Sequence, residues 1–157
     1  MRILISTTSF AKNSCLPINI IENNNCDIIF NNLSRKLNEN ELFSFAEDVD
    51  GIIAGTETYS MNVLEQLPKL KVISRLGVGM DNIDLDTAKQ MGIKVYKTQT
   101  TPALAVAELV LGLMLDLARK ISHQNKTLKS GTWKKEMGNL LHGKTLGIIG
   151  LGDIGKT

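Results

Sequence analysis

Short runs dominated by Ile and Val recur along this chain, and most are separated by helix-like segments. They are RILIS (2–6), CDIIF (26–30), GIIAG (51–55), KVISR (71–75), IKVYK (93–97) and KTLGIIG (144–150). Each is too short for a helix of ordinary length. Each also carries apolar residues at consecutive rather than alternate positions, as strands buried on both faces do. Strands of that kind belong in a parallel sheet, and parallel neighbours need long crossovers, usually helical. The alternation of strand and helix therefore predicts a doubly wound α/β sheet, with about five strands in a first domain ending near Thr98.

The intervening segments carry helix signals. NENELFSFAEDV (38–49) opens on Asn residues suited to capping, and SMNVLEQL (60–67) opens on Ser60 and stops before Pro68. DLDTAKQMG (84–92) has Asp84 as an N-cap, Asp86 in the first turn and Gly92 as a stop. SCLPINIIENN (14–24) is helical only if Pro17 sits in its first turn. TQTTP (98–102) reads as a linker with a helix-starting Pro. The following helix, 103–122, is apolar on nearly every side over 109–115 and so requires cover all round, part of it from a second chain. Residues 123–143 are polar and read as an extended excursion before the last run.

Bulk properties exclude several classes of function. The formal net charge is +2 and aromatic residues make up 4% of the 157. That balance argues against a nucleic-acid or membrane-surface partner, and it leaves few aromatic rings for stacking bases. The most apolar stretch, 102–118, contains Glu108 and Asp116 and is shorter than the ~20 residues that span a bilayer. The start MRILISTTSF does not resemble a secretion signal, so the default compartment is the cytoplasm. Cys15 and Cys26 lack metal-type spacing; a disulfide is possible on spacing alone, but reduced thiols fit that compartment. No metal site is expected.

The chain ends GIIGLGDIGKT (147–157). Gly150, Gly152 and Gly155 spell the G-x-G-x-x-G dinucleotide turn, while Gly150, Gly155, Lys156 and Thr157 spell the phosphate loop of nucleotide triphosphatases. As bare patterns both fit.

The wider sequence weighs on that choice. LPKLKVISRLGVGMDNIDLDTAKQMGIKVYKT (67–98) resembles the middle of the D-isomer-specific 2-hydroxyacid dehydrogenases, the family of phosphoglycerate dehydrogenase. DGIIAGTE (50–57) resembles the family's third strand and loop, and AVAELVLGLMLDLARKI (105–121) resembles its interdomain helix. GKTLGIIGLGDIGK (143–156) resembles its first nucleotide-binding strand and turn. The blocks stand in family order, and the first forty residues match only weakly. The resemblance implies a flavodoxin-like substrate domain over 1–98. It implies the interdomain helix and the incomplete start of a Rossmann domain over 99–157. Such an enzyme exchanges hydride between NAD and a 2-hydroxy or 2-oxo acid, NADP remaining open as the alternative. The family's helix and excursion also contribute to a dimer contact, so a homodimer through helix 103–122 is expected. A non-catalytic dimerisation module derived from that family is a second reading, and a phosphate-loop nucleotidase is a third.

The resemblance also assigns residues. Gly77-Val78-Gly79 follows run 71–75, where glycines turn the chain and expose N–H groups suited to an anion. The loop is expected to hold the substrate carboxylate through the N–H groups of Val78 and Gly79. Without the family, the loop reads equally as a simple turn. Gly150, Gly152, Asp153, Ile154 and Gly155 are expected to face the NAD pyrophosphate at a helix N-terminus. The family's catalytic Arg, Glu and His fall beyond residue 157, so no catalytic residue is assigned and this chain alone is expected to be inactive. Arg75 is read as a strand-end residue paired with a nearby acid. Glu108 is read as a polar anchor rather than a general acid, and His123 and His142 as exposed loop residues. Selectivity for the acid's side chain would come from loops such as 7–10 and 56–60. Run 144–150, lacking neighbours, would expose both its edges.

Overall fold

Leu4, Ile52 and Ile73 stand side by side on three adjacent strands, with Ile29 and Val95 completing the row at either end. The row crosses a five-stranded, wholly parallel sheet, formed by β1 (Arg2–Ile5), β2 (Asp27–Phe30), β3 (Gly51–Ala54), β4 (Val72–Arg75) and β5 (Lys94–Lys97). These are the first five Ile/Val runs of the sequence. The computed structural model describes residues 1–157 and divides into two units, Met1–Thr100 and Thr101–Thr157. The whole sheet lies in the first.

The strand order is β2-β1-β3-β4-β5. This is the flavodoxin-like order, in which the chain winds outward in both directions from β1 and β3. The crossovers are α1 (Leu16–Asn23), α2 (Glu39–Ala46), α3 (Met61–Glu65) and α4 (Leu85–Gln90). Leu42 and Ala46 of α2, Val63 and Leu64 of α3, and Ala88 of α4 pack with the Leu4–Ile52–Ile73 row into one core that also takes Leu37, Leu67 and Tyr59. The opposite face is covered more thinly: α1 has no buried residue, and Phe30 and Tyr96 are 48% and 57% exposed.

The caps explain where the helices begin. Asn38 Oδ1 accepts from the Glu41 N–H at 2.9 Å while Glu41 Oε2 accepts from the Asn38 N–H at 3.0 Å, a complete capping box. Asp84 Oδ1 accepts from the Thr87 N–H at 2.9 Å. Gly92 follows α4 with φ +74, a conformation that ends helices most easily at glycine. Pro17 lies in the first turn of α1, where its missing N–H costs nothing. Ser60 precedes α3 but does not cap it; its hydroxyl donates to Glu39 Oε1 at 3.1 Å.

The second unit corrects several expectations. The helix expected over 103–122 ends earlier: α5 spans Ala103–Arg119, Lys120 turns left-handed at φ +56, and α6 spans Ile121–Lys129. The polar stretch from 123 is therefore helical at its start rather than extended. Asp116 explains the restart, since its carboxylate accepts from Ser122 N–H at 2.6 Å and Ser122 Oγ at 2.7 Å. Residues 144–150 form no strand. An isolated extended segment has no ladder to satisfy its backbone, and no strand occurs elsewhere in this unit. The last element, α7, is a single turn over Asp153–Lys156. No helix in the chain is long and apolar enough to cross a membrane.

Candidate functional site

The two ends of the sheet differ in chemistry. At the amino-terminal edge, charges are paired. Asp48 meets Arg2 and Lys69, and Asp50 Oδ1 meets Lys71 Nζ at 2.6 Å. The Lys69 ammonium, with Arg2 beside it, holds the Asp48 carboxyl below its ordinary range, and hydrogen bonding from Lys71 does the same for Asp50. The carboxyl-terminal edge, where open α/β sheets take ligands, instead presents unpaired backbone donors.

Gly77-Val78-Gly79 leaves β4 at that edge. Gly77 adopts φ +146, a backbone conformation that favours glycine, and a Cβ there would also have to displace the Arg75 guanidinium, 2.6 Å away. Its N–H donates to Thr98 Oγ1 at 3.0 Å, and the Thr98 N–H returns to the Gly77 carbonyl at 3.1 Å. The loop is thereby tied to the end of β5. The N–H groups of Val78 and Gly79 make no hydrogen bond within the chain. Val78 is half-buried and Gly79 exposed, so the two free donors stand at the surface.

Arg75 departs from expectation. It joins no ion pair; one guanidinium nitrogen donates to the carbonyl of the next residue, Leu76, and its buried Nε has no partner. The side chain folds back over Gly77, the closest glycine to it, instead of reaching an acid. Its positive charge therefore flanks the loop that carries the free donors.

Beside this loop, at the point where β1 and β3 diverge, lies a buried polar cluster. Ser6, Glu57 and Tyr59 are 0%, 2% and 0% exposed. Ser6 Oγ donates to Glu57 Oε2 at 2.9 Å and lies 3.0 Å from Tyr59 Oη, and the Gly55 N–H donates to Glu57 Oε2 at 2.8 Å. Burial pushes the Tyr59 phenol well above its ordinary range, against the opposing effect of the Ser6 hydrogen bond. The Tyr59 and Ser6 hydroxyls thus share a hydrogen bond beside the Glu57 carboxyl. Ser6 drew no role from the sequence, and Glu57 and Tyr59 fell in the 56–60 loop expected to select the acid's side chain; the structure instead buries both in the core. The available signal was the alternation of exposed Thr56 and Thr58 with buried Glu57 and Tyr59, which places a carboxylate in a core phase.

In the second unit, Gly150 adopts φ +92 and Gly152 precedes α7 in extended conformation. A Cβ on Gly155 would lie 2.3 Å from the Gly150 carbonyl oxygen, so the turn closes tightly only with glycine at 155. The N–H groups of Asp153 and Ile154, in the first turn of α7, donate to nothing in the chain. Asp153 Oδ2 takes a hydrogen bond from Thr101 Oγ1 at 3.3 Å. Thr157 Oγ1 donates back to the Asp153 carbonyl at 2.8 Å. His123, on α6, meets Glu136 at 3.1 Å, Lys120 pairs with the same carboxylate, and His142 and Glu108 are exposed.

The sequence matches the family described as D-isomer specific 2-hydroxyacid dehydrogenase, catalytic domain, over residues 9–148. The chain belongs to this family. Among curated dehydrogenases and reductases, it is 43% identical over 126 residues to the hydroxypyruvate reductase of Thermotoga maritima, covering 78% of this chain and 41% of that protein. It is 44% identical over 123 residues to the D-3-phosphoglycerate dehydrogenase of Methanocaldococcus jannaschii, covering 76% of this chain and 24% of that protein. The NAD+-bound 3-phosphoglycerate dehydrogenase of Entamoeba histolytica superposes with TM-score 0.76 at 30% identity, covering 99% of this chain and 48% of that one. The chain thus spans less than half the length of each of these three relatives. As a member of the D-2-hydroxyacid dehydrogenase family, it carries the α/β sheet expected of a domain from such an enzyme.

Proposed function

We propose that the chain supplies the substrate-carboxylate half of an NAD-dependent D-2-hydroxyacid dehydrogenase. The observation that carries this is the pair of unsatisfied N–H donors at Val78 and Gly79, set on a rigid turn at the carboxyl edge of the sheet. Two free amides can replace the water lost by a carboxylate, and the Arg75 guanidinium packed against Gly77 adds charge of the right sign. The loop would fix the acid by its carboxylate, a positional contribution made before any bond changes. NAD, when bound, supplies or accepts the hydride. Gly150, Gly152 and Gly155, with the N–H groups of Asp153 and Ile154, are the residues that would hold its pyrophosphate. The tight Gly150–Gly155 contact and the unsatisfied first-turn donors fit that group.

Calorimetric titration of the 157-residue chain with pyruvate and with the uncharged pyruvamide tests the carboxylate reading. Pyruvate binds and pyruvamide does not; equal binding, or none by either, contradicts it. In the same samples NADH is not oxidised, because these residues include no acid/base His at the family's position. Rapid NADH turnover would overturn that part.

A homodimer through α5 is the second element of the proposal. None of the 17 residues of α5 is buried, although most are apolar and Leu117 is 78% exposed. Contiguous apolar surface of that kind marks an interface. Light scattering should give twice the chain mass, and a monomer at high concentration counts against it. We place the protein in the cytoplasm, in keeping with the free thiols of Cys15 and Cys26.

A further inference from the structure

Glu57 is the only acid among the buried residues of the chain. Taking a carboxylate out of water is costly, and apolar residues of the same volume often give a more stable core. A buried acid is therefore informative about what it holds. Glu57 Oε2 takes the N–H of Gly55 at 2.8 Å, just beyond β3, and the Ser6 hydroxyl at 2.9 Å, just beyond β1. A Cβ on Gly55 would lie 2.9 Å from that oxygen and 2.9 Å from Thr7 Cβ, so the contact also dictates the residue at 55.

The path fixed in this way leads to the glycine loop through Asn82. Asn82 Nδ2 donates to the Glu57 carbonyl at 2.6 Å and to the Gly55 carbonyl at 3.3 Å. The Tyr59 N–H donates to the Asn82 carbonyl at 2.8 Å, and the Asp84 N–H donates to the Tyr59 carbonyl at 2.9 Å. Residues 55–59 and 82–84 are thus laced together, with a single bridge between Tyr59 and Ile83. Asn82 stands three residues beyond Gly79, at the far end of the segment that carries the free donors. Thr98 anchors the near end.

We propose that Glu57 is a positioning residue for the Val78–Gly79 donors. Its buried carboxylate holds the loop after β3 in the one path that lets Asn82 brace the loop after β4. This inference rests on the carboxylate reading of residues 77–79. Glu57 itself does not touch the substrate. Ser6 completes the device: its hydroxyl donates to the same carboxylate oxygen that takes the Gly55 N–H and lies 3.0 Å from Tyr59 Oη.

The test uses the 157-residue chain, pyruvate as the probe, and the variants Glu57→Ala, Glu57→Gln and Val63→Ala. Glu57→Ala should weaken pyruvate binding about tenfold, the scale of one lost charge-assisted hydrogen bond. It should also speed hydrogen exchange at the Ile83 and Asp84 amides, leaving Ile52 and Ile73 unchanged. Glu57→Gln keeps an acceptor for the Gly55 N–H and should bind within about threefold of wild type. Val63→Ala, a core truncation outside the device, should lower Tm without changing the affinity. Unchanged affinity in Glu57→Ala, or equal losses in Ala and Gln, overturns the proposal, as does an affinity loss in Val63→Ala matching that of Glu57→Ala. Should Glu57→Ala fail to fold, Asn82→Ala cuts the same brace; it is expected to weaken binding about tenfold, and wild-type affinity there overturns the proposal. Absence of pyruvate binding in the wild-type chain sinks the carboxylate reading instead. Exchange at Ile83 and Asp84 then decides the bracing role: faster in the variant upholds it, unchanged rejects it.

Discussion

Gly77 and Thr98 hold each other from both sides: the Gly77 N–H donates to Thr98 Oγ1 at 3.0 Å, and the Thr98 N–H donates to the Gly77 carbonyl at 3.1 Å. One of the three loop amides is thereby consumed in fixing the other two. Thr98→Val keeps the side-chain shape and removes the acceptor. It should cost about 1 kcal/mol of stability in denaturant unfolding and weaken pyruvate binding severalfold. A variant as stable and as tight-binding as wild type would show that the anchor is not needed.

The glycines of this loop should differ in their tolerance of a methyl group. Gly77 combines φ +146 with a Cβ position 2.6 Å from the Arg75 guanidinium, whereas a Cβ on Gly79 meets only Asp81 Oδ2, at 3.6 Å. Gly77→Ala should cost about 1–3 kcal/mol, as other strained backbone positions do. Gly79→Ala should fold nearly as well as wild type. Thermal melts of the two variants check the contrast, and equal Tm values would refute it.

Acid should expose the contribution of the α2 cap. Hydrogen bonding from Arg35, and then from the Asn38 backbone, lowers the Glu41 carboxyl from its ordinary 4.5 to about 2. A carboxyl depressed by folding stabilises the native state above its unfolded pKa and loses that contribution as pH falls through the folded value. The Tm advantage of wild type over Glu41→Gln should therefore be full above about pH 5 and shrink toward pH 2. A difference that stays constant from pH 7 to pH 2 would contradict the assignment. Asn38→Ala, which removes the reciprocal partner, should cost about 1 kcal/mol at neutral pH.

Ile52 occupies the centre of the cross-sheet row and is 1% exposed. Its truncation to Ala should cost about 2–5 kcal/mol, because neighbours on both flanking strands cannot close the cavity. Urea unfolding monitored by circular dichroism gives the value.

The sheet was legible because each of its strands is a local run of Ile and Val, and the caps because Asn38, Asp84 and Gly92 act within a few residues of themselves. Residues 144–150 carry the same local signal yet form no strand, since a strand depends on a ladder partner that a run cannot supply for itself. The break at Lys120 was hidden for a different reason: it depends on Asp116 reaching past the end of α5 to Ser122. Gly77-Val78-Gly79 was legible as a turn from its glycines, and its proposed role came only with the family resemblance. The Ser6–Glu57–Tyr59 cluster joins segments that are fifty residues apart and meet only because β1 and β3 are neighbours. Arg75 was misread for the same reason, since whether an acid lies within reach is a property of packing.

Backbone amide shifts followed by NMR during a pyruvate titration test the carboxylate site most directly. The Val78 and Gly79 amides should move and saturate together, with Gly77 moving less because its N–H already serves Thr98, and pyruvamide should move none of them. Saturating shifts confined to other residues, with Val78 and Gly79 unmoved, would contradict the site.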